Sequence, residues 1–146
     1  MRTLTQKLAA GLRLGRLPEG LRTQLESEGR ILYRAEGVLE TAIFRHYQAP
    51  GVRIGYRRIG FIGYCVFSEP RMVVKARQYH GVNVNVAFAD GAFQEMTFAV
   101  TPRYLSLAFD ASAQSAQASG QIEIRVHLPE LAAAAKILEQ AGARIG

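Results

Sequence analysis

The chain has little that marks chemistry. It contains one cysteine, Cys65, which excludes an intrachain disulfide framework and leads us to expect a reducing, cytoplasmic compartment. The flanks of Cys65 are apolar, Tyr64 and Val66, and fit an inert core thiol, because a reactive one needs a neighbour that lowers its pKa. Long apolar runs are also missing. Lys7, Gly11, Arg13 and Gly15 interrupt the first residues, leaving neither the roughly seven-residue apolar core of a signal peptide nor the about 20 residues of a membrane span. His46, His80 and His127 lie in three separate segments without metal-ligand spacing. Asp90 and Asp110 stand where turns want them, and neither G-x-G-x-x-G nor G-x-S-x-G occurs in a supporting context. No catalytic residue, metal or cofactor is expected, and the chain reads as non-enzymatic.

Acid is scarce where base is dense. The net charge is +6, and between Arg45 and Arg77 lie Arg53, Arg57, Arg58, Arg71 and Lys75 with Glu69 as the sole acid. Such a balance favours anionic partners when the charge clusters in space. Hydrophobic residues make up 49% of the 146 and charged residues 21%, the balance of an ordinary globular domain with its own core.

Two short helical patterns open the chain. Leu4, Leu8 and Leu12 recur at four-residue spacing, and Leu21 and Leu25 define a face behind Pro18, with Gly29 closing the pattern. From Arg30 the character changes to strand. Ile31 to Tyr33 and Val38 to Tyr47 are rich in β-branched and aromatic residues, with Glu36-Gly37 read as a turn between them and Ala49-Pro50-Gly51 as a break after them. Gly55 to Phe67 is a long extended stretch with Gly60 and Gly63 inside it, which suggests strong curvature. Ser68 to Arg71 is turn chemistry before the strand Met72 to Ala76. Alternation then marks strands at Val82 to Phe88, Met96 to Val100, Leu105 to Phe109 and Ile122 to Leu128, with a turn at Asp90-Gly91. Asp110 to Gly120 is small, polar and of low complexity, and reads as a mobile loop. A helix is expected from Pro129 to Ala141, with Pro129 in its first turn and a stripe of Leu131, Ala135, Leu138 and Ala141.

The predicted fold is mainly β with helices: a curved antiparallel barrel of about seven strands capped by a C-terminal helix, residues 30–146, behind an N-terminal helical extension, residues 1–29. The stretches GFIGYCVFSEPRMVVKA, NVNVAFADG and QIEIRVHLPELAAAAKIL, in that order from Gly60, resemble a bacterial pleckstrin-homology-like or GRAM-like domain from about Gly37 to Gln140. The resemblance implies a barrel closed by its last helix and, in members that bind phosphoinositides, a basic ligand site at the first strand-strand loop. By that resemblance Arg45, Arg53, Arg57 and Arg58, flanking Ala49-Pro50-Gly51, are the candidate anion site, where planar guanidinium forks suit phosphate. The bland alternative is a solvated surface, or pairing with Glu36, Glu40 and Glu69. Tyr47, Tyr56, Phe61 and Tyr79 interleave with these arginines as base-stacking side chains would, but core packing explains aromatics in alternating strands more simply, and nucleic acid is disfavoured.

The expected role is therefore an interaction module that binds a protein partner or a second copy of itself as a homo-oligomer. An anionic lipid headgroup or phosphorylated ligand at Arg45 to Arg58 is the alternative. A third reading is an apolar-ligand barrel lined by Val84, Phe98, Leu107 and Ile124, for which close packing predicts no cavity.

Overall fold

A computed structural model of the chain describes residues 15–76 and 83–146. Seven antiparallel strands form one curled half-barrel sheet: β1 Ile31–Ala49, β2 Val52–Ser68, β3 Arg71–Lys75, β4 Asn83–Ala87, β5 Thr97–Val100, β6 Leu105–Asp110 and β7 Ser119–Val126. Their order across the sheet is β4-β3-β2-β1-β7-β6-β5. Helix α1, Glu19–Glu28, precedes the sheet; α2, Gly91–Glu95, joins β4 to β5; α3, Leu131–Gln140, follows β7. No helix among the described residues is long and apolar enough to cross a membrane.

The spine is the β1–β2 hairpin, 19 and 17 residues long. Sequence reasoning divides β1 at Glu36-Gly37, but the strand runs through. Gly37 has φ 66° and the register shifts between Glu36 and Val38, so the turn signal is a β-bulge that bends the strand without ending it. The other strands share the hairpin unequally. At its base, β2 pairs with β3 from Tyr64 to Phe67; further along, β1 pairs with β7 from Glu40 to Gln48.

The inner face carries the main core. Alternate residues of β7, Ile122, Ile124 and Val126, meet Phe67, Met72, Phe98, Leu105 and Leu107, all buried. Helix α3 closes this face with Ala134 and Leu138, so the stripe runs through Ala134 where the spacing suggests Ala135. Pro129 stands outside that helix: Glu130 has φ 51°, and the Pro129 carbonyl accepts from Tyr33 Oη at 2.6 Å. The outer face at the hairpin base is covered by α1, whose Leu25 packs with Leu17, Tyr64, Val66 and Val73. Residues 15–29 are thus docked on the sheet; the Leu4, Leu8, Leu12 pattern lies outside the described residues.

Two further expectations change. Asp90-Gly91 does turn the chain, but Asp90 then caps α2 by accepting from Ala92 N–H at 2.9 Å, and Phe93 fills the core against Phe88 and Phe98. The stretch from Asp110 to Gly120 is anchored: Asp110 caps a 3-10 turn, Ala111–Ala113, Ala111 and Ala118 are buried, and Gln114 Nε2 donates to Asn83 O at 2.7 Å. The small residues Ala111 and Ala118 are themselves part of the anchor.

Candidate functional site: the basic hairpin arm

A sheet must end somewhere, and its unpaired strand edges are templates for another chain. Most edges here are short or covered. Strand β4 has five residues. Along β5, Phe98 N–H donates to Arg144 O at 3.2 Å and Gly146 N–H to Phe98 O at 2.9 Å, so the C-terminal residues occupy that edge. Strand β2 is different. Beyond the span covered by β3, no strand among the described residues lies beside Val52–Phe61 on the side away from β1. Ten residues of edge, about 33 Å at roughly 3.3 Å per residue, are without a strand neighbour among the described residues.

The pairing shows which backbone groups face outward. Leu39 O accepts from His127 N–H, so Leu39 and its alternates Thr41, Ile43 and Arg45 turn towards β7. Their β2 partners Gly60, Arg58 and Tyr56 then present N–H and C=O at the open edge, while Arg57, Ile59 and Phe61 bond to β1. Gly55 and Gly60 leave space: a Cβ built on either meets nothing of the described residues within 4 Å. Glycine in a strand commonly marks close approach of another backbone.

The four sequence-predicted arginines sit along this arm in three settings. Arg45, on the outer face, donates from Nη1 to Glu123 Oε1 at 2.8 Å and lies 6.0 Å from the Tyr56 ring centre. Arg53, next to the turn, donates to Gln48 at 3.1 and 3.2 Å once that amide oxygen is turned to the guanidinium. Arg57 and Arg58 are exposed, make no ion pair among the described residues, and point to opposite faces because side chains alternate along a strand. Arg58 joins Arg45 on the outer face; Arg57, opposite Phe44, faces the inner rim.

Glu36, Glu40 and Glu69, the acids the sequence offers as partners, do not pair with these arginines. Glu36 accepts from Leu17 N–H at 2.6 Å and Arg34 at 3.1 Å, and Glu69 from Arg30 N–H at 2.6 Å. Glu40 is buried on the inner face of β1 opposite Phe61. Its two carboxylate oxygens have no hydrogen-bond partner, and burial pushes its pKa up to about 9, so it carries a proton at neutral pH. Space for it comes from Gly63, where a Cβ would collide with Glu40 Oε2 and Lys75 O.

Glu123 is the counterpart on the outer face. It accepts from Arg45, from Arg125 Nε at 2.8 Å and from Ser106 Oγ at 2.9 Å. Partial burial alone would raise its pKa, but the bonds from Arg125, Arg45 and Ser106 bring it down to about 2. Arg125 also stacks 5.1 Å from the Tyr104 ring centre. This network was not legible in the sequence, because its members come from β1, β6 and β7.

Other candidates stand apart. Cys65 is a free thiol with no exposed surface, and burial, then the nearby Glu40, pushes its pKa up. Val84, Phe98, Leu107 and Ile124 are buried in the main core. Tyr79 and His80 lie outside the described residues, among which no cluster of His, Cys, Asp and Glu could hold a metal. No family model, curated protein or solved structure matches the chain.

Proposed function

We propose that the chain is a non-enzymatic, pleckstrin-homology-like interaction module that docks a protein partner by strand addition to the open edge of β2. The observation that carries this is the run Val52–Phe61, beside which no strand of the described residues lies on the side away from β1, whereas the outermost strands β4 and β5 are short or covered. Strand addition needs little else: main-chain hydrogen bonds supply affinity and the alternating side chains supply selectivity. Support for the family part of the reading is the seven-stranded antiparallel sheet with a C-terminal helix packed on its inner face.

Gly60→Pro tests it, since this change removes an outward N–H that β1 does not use, and edge strands tolerate proline on that side. A protein that co-purifies with the wild type and with Leu32→Ala, a substitution at an exposed site on the base of β1, should be lost with Gly60→Pro. Retention by Gly60→Pro contradicts the reading.

A second reading, an anionic headgroup or phosphorylated ligand, is favoured by Arg45 and Arg58 sharing the outer face. Against it, Arg45 is bonded to Glu123 and Arg57 faces the other way. Replacing Arg53, Arg57 and Arg58 together with Ala should abolish binding to phosphoinositide vesicles if this reading holds; unchanged binding removes it.

A further inference from the structure

The chemistry of the partner follows from the charge on the open edge, and it rests on the strand-addition reading above. We infer that β2 accepts an extended acidic segment of another protein, with carboxylates reaching Arg57 on one face of the new strand pair and Arg58 on the other.

From Val52 to Ser68 the sequence has three arginines and no acid. Arg57 and Arg58 are exposed and without ion pairs among the described residues, so their charge is uncompensated at the edge. Charged side chains on an edge ordinarily act as a seal against pairing with further copies. Here the seal is selective. A second β2 laid antiparallel on the first brings Arg53, Arg57 and Arg58 of both copies together, and like charges facing each other across a strand pair are destabilising. An acidic strand turns the same positions into cross-strand opposite-charge pairs, each a modest gain. Because the two arginines point to opposite faces, a partner with acids on only one face uses one of them, whereas acids at adjacent positions engage both.

The glycines fit an approaching strand. Gly55 and Gly60 bracket Arg57 and Arg58, and no described residue lies within 4 Å of their Cβ positions, which leaves room for side chains of an incoming strand. Tyr56, 63% exposed, supplies an apolar face between them, and Val52, 46% exposed, a second at the tip. Backbone donors and acceptors at Tyr56, Arg58 and Gly60, flanking positive charge and gaps for side chains together describe a basic strand-addition groove.

The test uses the full-length protein and two fluorescein-labelled, end-blocked decapeptides, one repeating Thr-Thr-Glu-Glu and one repeating Thr-Thr-Lys-Lys so that charges fall on both faces of the strand, with a ten-nucleotide oligo-dT as a third probe. Fluorescence anisotropy at moderate salt should show the Glu peptide binding at least tenfold tighter than the Lys peptide. Gly60→Pro and, independently, Tyr56→Pro should each weaken the Glu peptide at least tenfold while thermal melting stays cooperative. R57E/R58E, which alters exposed side chains only, should reverse the preference between the peptides. Equal binding of both peptides that is still lost with the proline variants leaves strand addition standing and overturns the acidic partner. Binding of the Glu peptide that survives both proline variants overturns strand addition itself. Oligo-dT binding tighter than the Glu peptide, no binding of any probe, or a dimer that dissociates with Gly60→Pro also overturns the acidic-segment inference.

Discussion

The two ends of β2 are one strand with opposite fates. From Tyr64 to Ser68 every residue is buried, held between β1 and β3 with α1 on the outer face and the core on the inner. From Val52 to Gly60 every residue is exposed or half-buried, and three of the nine are arginine. No change of secondary structure separates the two; the boundary lies at Phe61 to Gly63, where β3 ends and the Glu40 carboxyl fills the space in front of Gly63. Backbone pairing with β1 alone suffices to extend a strand, and it is neighbours on the second edge and both faces that make it core. The arm is therefore where sequence is free to serve binding.

Substitutions can widen or blur this contrast. The largest effect is expected at the buried end, where Phe67→Ala should cost about 3–5 kcal/mol in urea denaturation, as for other truncated core aromatics, whereas Tyr56→Ala on the arm should stay within about 0.5 kcal/mol. A Phe67→Ala cost near that of Tyr56→Ala would erase the distinction. Next, Gly63→Ala should cost ~2–3 kcal/mol by overpacking against Lys75 O and the Glu40 carboxyl. Gly60→Ala, three residues away with open space, should be neutral or stabilise slightly through the unfolded chain. Thermal melts of the two alanine variants side by side check the pair, and equal shifts would contradict it.

Two carboxylates supply the smaller effects, with opposite signs. Glu40 holds its proton in the folded protein up to about 9 against an ordinary 4.5. The folded state thus binds more protons through that window, and stability falls as pH rises from 4.5 towards 9. Glu40→Gln should remove that slope and gain on the order of 2 kcal/mol at pH 7; an unchanged pH profile would mean the carboxyl finds a partner. Glu123 is depressed to about 2, so its contribution is full above its unfolded value near 4.5 and is lost as pH falls towards 2. Glu123→Gln should cost about 1–2 kcal/mol at neutral pH and flatten the acid limb of the profile, read by chemical denaturation at stepped pH.

Much of the architecture could be read from period-two alternation, as in Ile122, Ile124 and Val126, and from the helix ended by Gly29. Two misreadings, a turn at Glu36-Gly37 and a mobile loop at Asp110 to Gly120, and one incomplete reading, the Asp90-Gly91 turn that also caps a helix, share one physical origin. Glu36-Gly37, Asp90-Gly91 and the Asp110 to Gly120 stretch all carry turn residues, and such residues equally serve a bulge, a helix cap or a buried small-residue turn; packing decides among them. The arginines were visible because charge asymmetry is local in sequence. The open edge was not, since whether β2 has a neighbour depends on where β3 stops. Nor was the Glu123 network, assembled from residues as far apart as Arg45 and Arg125.

The most direct test of the central claim is amide hydrogen exchange by NMR along β2, with and without the Thr-Thr-Glu-Glu decapeptide. In the free protein, the Tyr56, Arg58 and Gly60 amides should exchange fast while Arg57, Ile59 and Phe61, bonded to β1, are protected; adding the peptide should protect the first three. Amides of Tyr56, Arg58 and Gly60 already slow in the free protein, or unchanged when the peptide is bound, would contradict an open edge that accepts a strand.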